Sequence, residues 1–125
     1  MEIADEALVT KVLGLVIEVH RNLGPGLLES IYEDALAFEL KAARIQHERQ
    51  VAVAVRYKTT TLGVGFRVDL IVDKSIVLEL KTVEQLMAIH TAQLITYLKL
   101  TNIKRGYLLN FNSMPMKNGI KRVSI

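Results

Sequence analysis

Cysteine is absent from the 125 residues, which excludes a disulfide framework and a thiolate metal site, and makes zinc a poor choice of metal. That absence fits a reducing, cytoplasmic setting. Long apolar runs are lacking too: Val12 to Val19 is too short to span a bilayer and is interrupted by Glu18. No cationic leader with a small-residue cleavage site precedes it, so a soluble protein with no membrane role is expected. Repeats, low-complexity tracts and Pro/Ser-rich linkers are missing as well. With 50% hydrophobic residues, the chain is expected to fold as a single domain over 1–125 with a real core. There is no aromatic platform for stacking single-stranded bases, because Phe66, Phe111 and Tyr107 have core-like spacing. Charge of one sign is also scarce, the net value being only +3. Even so, Lys104, Arg105, Lys117, Lys121 and Arg122 gather near the C-terminus, where a polyanion could dock.

What is present reads as one α/β unit. Leu8, Val12, Leu15, Val16, Val19 and Leu23 recur at helical spacing after Asp5, a suitable N-cap, and Gly24-Pro25-Gly26 stops that helix. A second helix is predicted from about Leu27 to Ala43. Val51 to Tyr57, Leu62 to Val72 and Ser75 to Lys81 read as three antiparallel strands in a meander. A third helix covers about Glu84 to Leu100, followed by strands near Gly106 to Phe111 and Arg122 to Ile125. Asn112, Pro115, Asn118 and Gly119 mark the turn between those two strands.

Three charged residues on this frame suggest chemistry. In IVLELK, Glu79 and Lys81 are two apart and share a strand face, opposite Ile76, Leu78 and Leu80. In FRVDLIV, Phe66, Val68, Leu70 and Val72 form the apolar set, with Arg67 and Asp69 on the other face. Whether Asp69 meets Glu79 depends on the hairpin. A loop of Asp73, Lys74 and Ser75 pairs Val72 with Ile76 and sets the carboxylates opposite each other, whereas a two-residue loop separates them. Like charges directly opposite repel, so such a pair calls for a cation between them. Mg²⁺, or Mn²⁺ in its place, suits the need, because a hard ion takes one or two carboxylates and completes its shell with water and phosphate oxygens. Bound there, the ion would acidify a water and offset charge building on a phosphate, with Lys81 available to orient that water or stabilise the transition state. The competing reading is a solvated strand edge with a weak ion pair.

Two helical wheels add candidates. On the second helix Leu28, Ile31, Tyr32, Ala35, Leu36 and Leu40 form an apolar arc into which Glu29 falls, as does Glu39. A carboxylate on the core side needs a metal, a water or a basic partner, though at Glu29 the helix dipole would also favour one. On the third helix Leu86, Ile89, Leu94 and Leu100 define an inward arc that holds His90, Gln93 and Tyr97. Neighbours at this spacing can bond one another, and His90 is read as structural because magnesium rarely selects imidazole.

Gly26-Leu27-Leu28-Glu29-Ser30-Ile31-Tyr32 resembles the Gly-x-x-Glu-x-x-Tyr signature of the GxxExxY proteins, a family grouped with the PD-(D/E)XK nuclease superfamily. The resemblance runs from Val19-His20-Arg21-Asn22-Leu23-Gly24-Pro25 through Arg67-Val68-Asp69, Glu79-Leu80-Lys81, Gln93 with Tyr97, and Asn110-Phe111 to Gly119-Ile120-Lys121-Arg122. It implies a restriction-endonuclease-like core, a central mixed β-sheet flanked by α-helices. It also implies metal and catalytic positions at Asp69, Glu79 and Lys81, an acidic helix residue at Glu29 that joins the metal ligands, and a Gln93-x-x-x-Tyr97 motif like that of exonuclease-type members. The expected function is Mg²⁺-dependent cleavage of nucleic acid, DNA first, by a homodimer or with a protein partner. The alternative is a nuclease-like module that binds nucleic acid or protein without turnover.

Overall fold

A computed structural model describes residues 5–125 of the chain, and the first helix begins where its cap was expected. Asp5 Oδ1 accepts from the Ala7 N–H at 2.9 Å, so helix α1 runs over Glu6–Leu23. It stops at Gly24, whose φ of 67° is open to glycine at little cost and whose N–H donates to His20 O. Helix α2 follows over Glu29–Ala42, then strands β1 (His47–Tyr57), β2 (Thr60–Val72) and β3 (Ile76–Lys81). Helix α3 (Ala88–Thr101) crosses over to β4 (Arg105–Asn110), and a short 3₁₀ turn (Met116–Gly119) leads to β5 (Ile120–Ser124).

The five strands lie in sequence order. Only β3 and β4 are parallel, as a helical crossover requires, while the other neighbours are antiparallel. The sheet is therefore mixed, with α1 and α2 on one face and α3 on the other. Val12, Val16, Tyr32, Leu36 and Leu40 pack against Leu70, Val72, Leu78 and Leu109 on the first face. Leu94 and Leu98 pack against Val68, Val77 and Leu108 on the second. Each fully buried leucine contributes roughly 2 kcal/mol of transfer free energy, so both faces are firmly anchored.

Several boundaries differ from expectation, those of α2 and β2 among them, where the starts move to Glu29 and Thr60. β1 begins at His47 rather than Val51, because polar Glu48 and Arg49 pair with Ile71 and Leu70 across the ladder. β5 begins at Ile120, which pairs with Leu109. α3 begins at Ala88 rather than Glu84, where His90 Nδ1 accepts from the Met87 N–H at 2.9 Å and closes the first turn. That bond gives His90 a structural role, as the sequence reading had it.

Face assignment on β2 needs correcting. Phe66 and Val68 belong to the α3 side, whereas Leu70 and Val72 belong to the α1/α2 side. The alternation breaks at Asp69, and on β1 it breaks at the neighbouring Gln50, whose φ is 48°. Beyond this point β1 and β2 continue as a long hairpin arm with register shifts after Val53 and Val55. Gly65 sits at the first shift, where a Cβ would lie 2.2 Å from Val55 Cγ2.

Candidate active site

The β2–β3 loop is the three-residue one, with Asp73 and Lys74 both at positive φ and Val72 paired with Ile76. Regular pairing then ends at Leu70 and Leu78. One residue further on the two carboxylates take over from the ladder. Glu79 Oε2 accepts from the Asp69 N–H at 2.8 Å, and Asp69 Oδ2 accepts from the Leu80 N–H at 2.9 Å. Each side chain thus satisfies a backbone donor on the opposite strand where the strands part, which keeps the notch between them open without orphaned amides.

Both carboxyls are held above their ordinary ionisation range. Burial pushes Glu79 from 4.5 to about 8, the Asp69 charge adds to the rise, and the Asp69 N–H and Lys81 only partly oppose it. Asp69 is raised chiefly by burial, against the Leu80 and Gln50 bonds, with Glu33 and Glu29 adding repulsion. The notch is short of positive charge, so a cation entering it would relieve both carboxylates.

Lys81 follows Glu79 on the same strand face and is half-buried. The strand beyond it is fixed by Asn110, only 1% exposed, which accepts from Val83 N at 3.1 Å and donates to Val83 O at 2.9 Å. Phe111 N also donates to Lys81 O at 2.9 Å.

The helical candidates are placed less as expected. Glu29 is exposed in the first turn of α2, with Thr82 Oγ1 at 3.4 Å, and Leu28 and Ile31 of its supposed apolar arc are exposed as well. One turn later Glu33 is the buried carboxylate, at 7% exposure. It accepts from Gln50 Nε2 at 2.6 Å and from Arg49 Nε at 3.0 Å. A cleft of about 320 Å³ is lined by Glu29, Ser30, Glu33, Gln50, Asp69 and Leu80. Glu29 therefore stands at the mouth of the site rather than on the core side, and sequence reasoning missed Glu33 and Gln50.

Gln93 does not face the core: it is exposed, and the buried line of α3 is Leu94 and Leu98, with Ile89 and Leu100 outward. Tyr97 is half-buried and stacks on Phe66 with ring centroids 4.0 Å apart. Burial raises its phenol pKa, with the Glu79 and Asp69 charges adding to it, so it lies within electrostatic reach of the notch. Gln93 and Tyr97 both line a separate groove between α3 and the hairpin arm.

Tyr32 gives the Gly-x-x-Glu-x-x-Tyr segment a physical meaning. Its hydroxyl donates to Gly24 O at 2.5 Å and accepts from Leu27 N at 3.1 Å, and its ring stacks on Phe111 at 4.5 Å. The tyrosine pins the loop that starts α2 onto the residue following β4, so Glu29 and Lys81 share one support.

The C-terminal basic residues do not form one patch. Arg105 and Arg122 both pair with Glu6, at 2.5 and 3.0 Å, on the α1 side of β4 and β5. Lys121 pairs across from Leu108 and leaves β5 on the α3 side. Alternation along β5 is what divides them.

Oxygen donors alone converge at the notch, and one oxygen of each carboxylate is already committed to a backbone N–H. Among the described residues no three Asp, Glu, His or Cys side chains form a group able to hold a metal ion by themselves. The donor set fits a hard divalent cation, which takes few carboxylates and retains water. Among the described residues no helix is long and apolar enough to cross a membrane.

A mixed sheet parted at paired carboxylates, with a lysine two residues on, defines a nuclease-like class of domain, and sequence comparison agrees. The chain belongs to the PD-(D/E)XK nuclease superfamily, which it matches over residues 6–123. Its fold is similar to the crystal structure of SSO0001, with a TM-score of 0.58 and 24% identity over 76% of this chain and 48% of that one. This chain thus spans about half the length of that protein, and at such identity the likeness concerns the fold alone. Among curated proteins no relative matches it.

Proposed function

We propose that the chain is a Mg²⁺-dependent nuclease of the GxxExxY type that hydrolyses phosphodiester bonds, with DNA as its first candidate substrate. The observation that carries this reading is the reciprocal capping of Asp69 and Glu79 at the end of the β2–β3 ladder. Two strained carboxylates are kept there, one of them held near pKa 8, where an amide or hydroxyl could cap the same donors at lower cost. Asp69 and Glu79 would hold the cation, with Glu29 supplying a further oxygen from the cleft mouth. The cation would provide Lewis-acid stabilisation of the phosphate and a more acidic water.

The protein's own groups do the rest. Lys81, on the Glu79 face, would orient the attacking water or direct hydrogen bonds and positive charge toward the phosphate oxygens as the bond to the leaving oxygen breaks. Tyr32 keeps Glu29 and the end of β3 in register. Tyr97, stacked on Phe66 within electrostatic reach of the notch, and Gln93, in the groove beside it, would contact the substrate strand. Cutting both strands of a duplex would call for a homodimer or a partner.

The test is cleavage of labelled single- and double-stranded DNA and RNA with Mg²⁺ or Mn²⁺, comparing wild type with Lys81→Ala and Asp69→Ala. Metal-dependent cutting lost in both variants supports the assignment. Equal cutting by Lys81→Ala removes its mechanism. Salt-sensitive, metal-indifferent binding without cutting would instead identify a silent binding module.

A further inference from the structure

We propose that Gln50 is the positioning residue of the site, and that its left-handed backbone exists to turn it there. In a regular strand Arg49 and Gln50 would point to opposite faces. Here both reach α2: Arg49 bonds Glu33 and Asp34, and Gln50 bonds Glu33. The backbone device is the φ of 48° at Gln50, a region that costs a residue with a side chain of this size about 1 kcal/mol or more. Val51 then returns to the α3 side, and across the ladder Asp69 and Leu70 make the matching change of face.

The result is a directed chain of contacts. Arg49 Nε fixes Glu33 Oε2 at 3.0 Å, and Glu33 Oε1 receives Gln50 Nε2 at 2.6 Å. The same amide nitrogen donates to Asp69 Oδ1 at 3.2 Å, the carboxylate oxygen that Leu80 N–H does not occupy. One neutral donor thus orients two carboxylates. A lysine at this place would do so by neutralising Asp69, whereas an amide leaves the full negative charge available to a cation. Strain held in a strand at a cleft-lining residue is explained by that task, and the inference rests on Asp69 serving as a metal ligand in the proposed function.

Gln50→Ala and Gln50→Gly separate a side-chain role from a backbone one. Glycine relieves the left-handed conformation, so Gln50→Gly should be more resistant to urea than Gln50→Ala. Both should nonetheless weaken Mg²⁺ binding by about tenfold or more in calorimetry, as loss of an orienting partner does. Recovery of wild-type Mg²⁺ affinity in Gln50→Gly would overturn the proposal, because backbone geometry alone would then suffice. A metal-free arm keeps the outcome separate from the nuclease reading: urea unfolding of Gln50→Ala, Asp69→Asn and the double variant. Coupling of at least about threefold in the folding constant is expected, and strict additivity would refute the contact. If the wild type binds no Mg²⁺ yet the coupling is found, the nuclease reading fails while the positioning of Asp69 stands.

Discussion

Replacing Glu79 by Gln should stabilise the metal-free protein in alkaline buffer while removing its capacity for Mg²⁺. In the folded chain burial and the Asp69 charge move the Glu79 pKa from 4.5 to about 8. Below pH 4.5 folded and unfolded chains are both protonated at this position, so it has no effect on stability. Between 4.5 and 8 the unfolded chain releases the proton and the folded chain retains it, so stability falls as pH rises and levels off above about 8. At 1.36 kcal/mol for each pKa unit, the loss amounts to roughly 4–5 kcal/mol, a large part of the stability of a typical domain. A glutamine keeps an oxygen for the Asp69 N–H and carries no charge to bury. The assay is urea unfolding at pH 5 and pH 9 in a chelator, repeated with saturating Mg²⁺. Wild type should weaken markedly between the two pH values and recover with Mg²⁺, whereas Glu79→Gln should show a smaller pH loss and no response to the ion. A variant less stable than wild type at pH 9 in chelator would refute the argument, since Glu79 would then be stabilising as an anion.

Three other outcomes are expected. Tyr32→Phe leaves Gly24 O and Leu27 N without their partner, and should cost about 1–3 kcal/mol in urea unfolding. Gly65→Ala forces a methyl group into Val55, a β-branched side chain with little rotamer freedom, and thermal melting should show a loss of about 1–3 kcal/mol. Lys81→Ala should lower kcat by about 10²–10³-fold while calorimetry finds Mg²⁺ binding intact, because in the proposed mechanism its charge stabilises the substrate phosphate and does not hold the ion.

The facing of Asp69 and Glu79 was legible because one loop length sets it, whereas the faces of β2 were not, because its alternation breaks at Asp69. Once Asp73, Lys74 and Ser75 form the loop, Asp69 and Glu79 can only arrive opposite one another. The helical residues were harder. Glu29 and Glu33 lie a turn apart on the same face, and a wheel gives the direction of a side chain but not where along the axis the sheet begins to cover it. At Glu29 that face is in solvent; at Glu33 it lies against Arg49 and Gln50. On α3, an arc through Leu86, Ile89, Leu94 and Leu100 centres near Gln93, but Leu86 precedes the first turn and Ile89 and Leu100 face outward, so the buried line is Leu94 with Leu98. Gln50 was invisible for a different reason. Only a tertiary demand holds a glutamine at positive φ within a strand, and no local preference signals it.

The most direct test of the central claim is calorimetric titration of Mg²⁺ into wild-type and Asp69→Ala protein. Binding near one equivalent by the wild type, absent from the variant, is the predicted result. Identical heats from both proteins, whether of binding or of none, would contradict the assignment of the Asp69–Glu79 notch as a metal site.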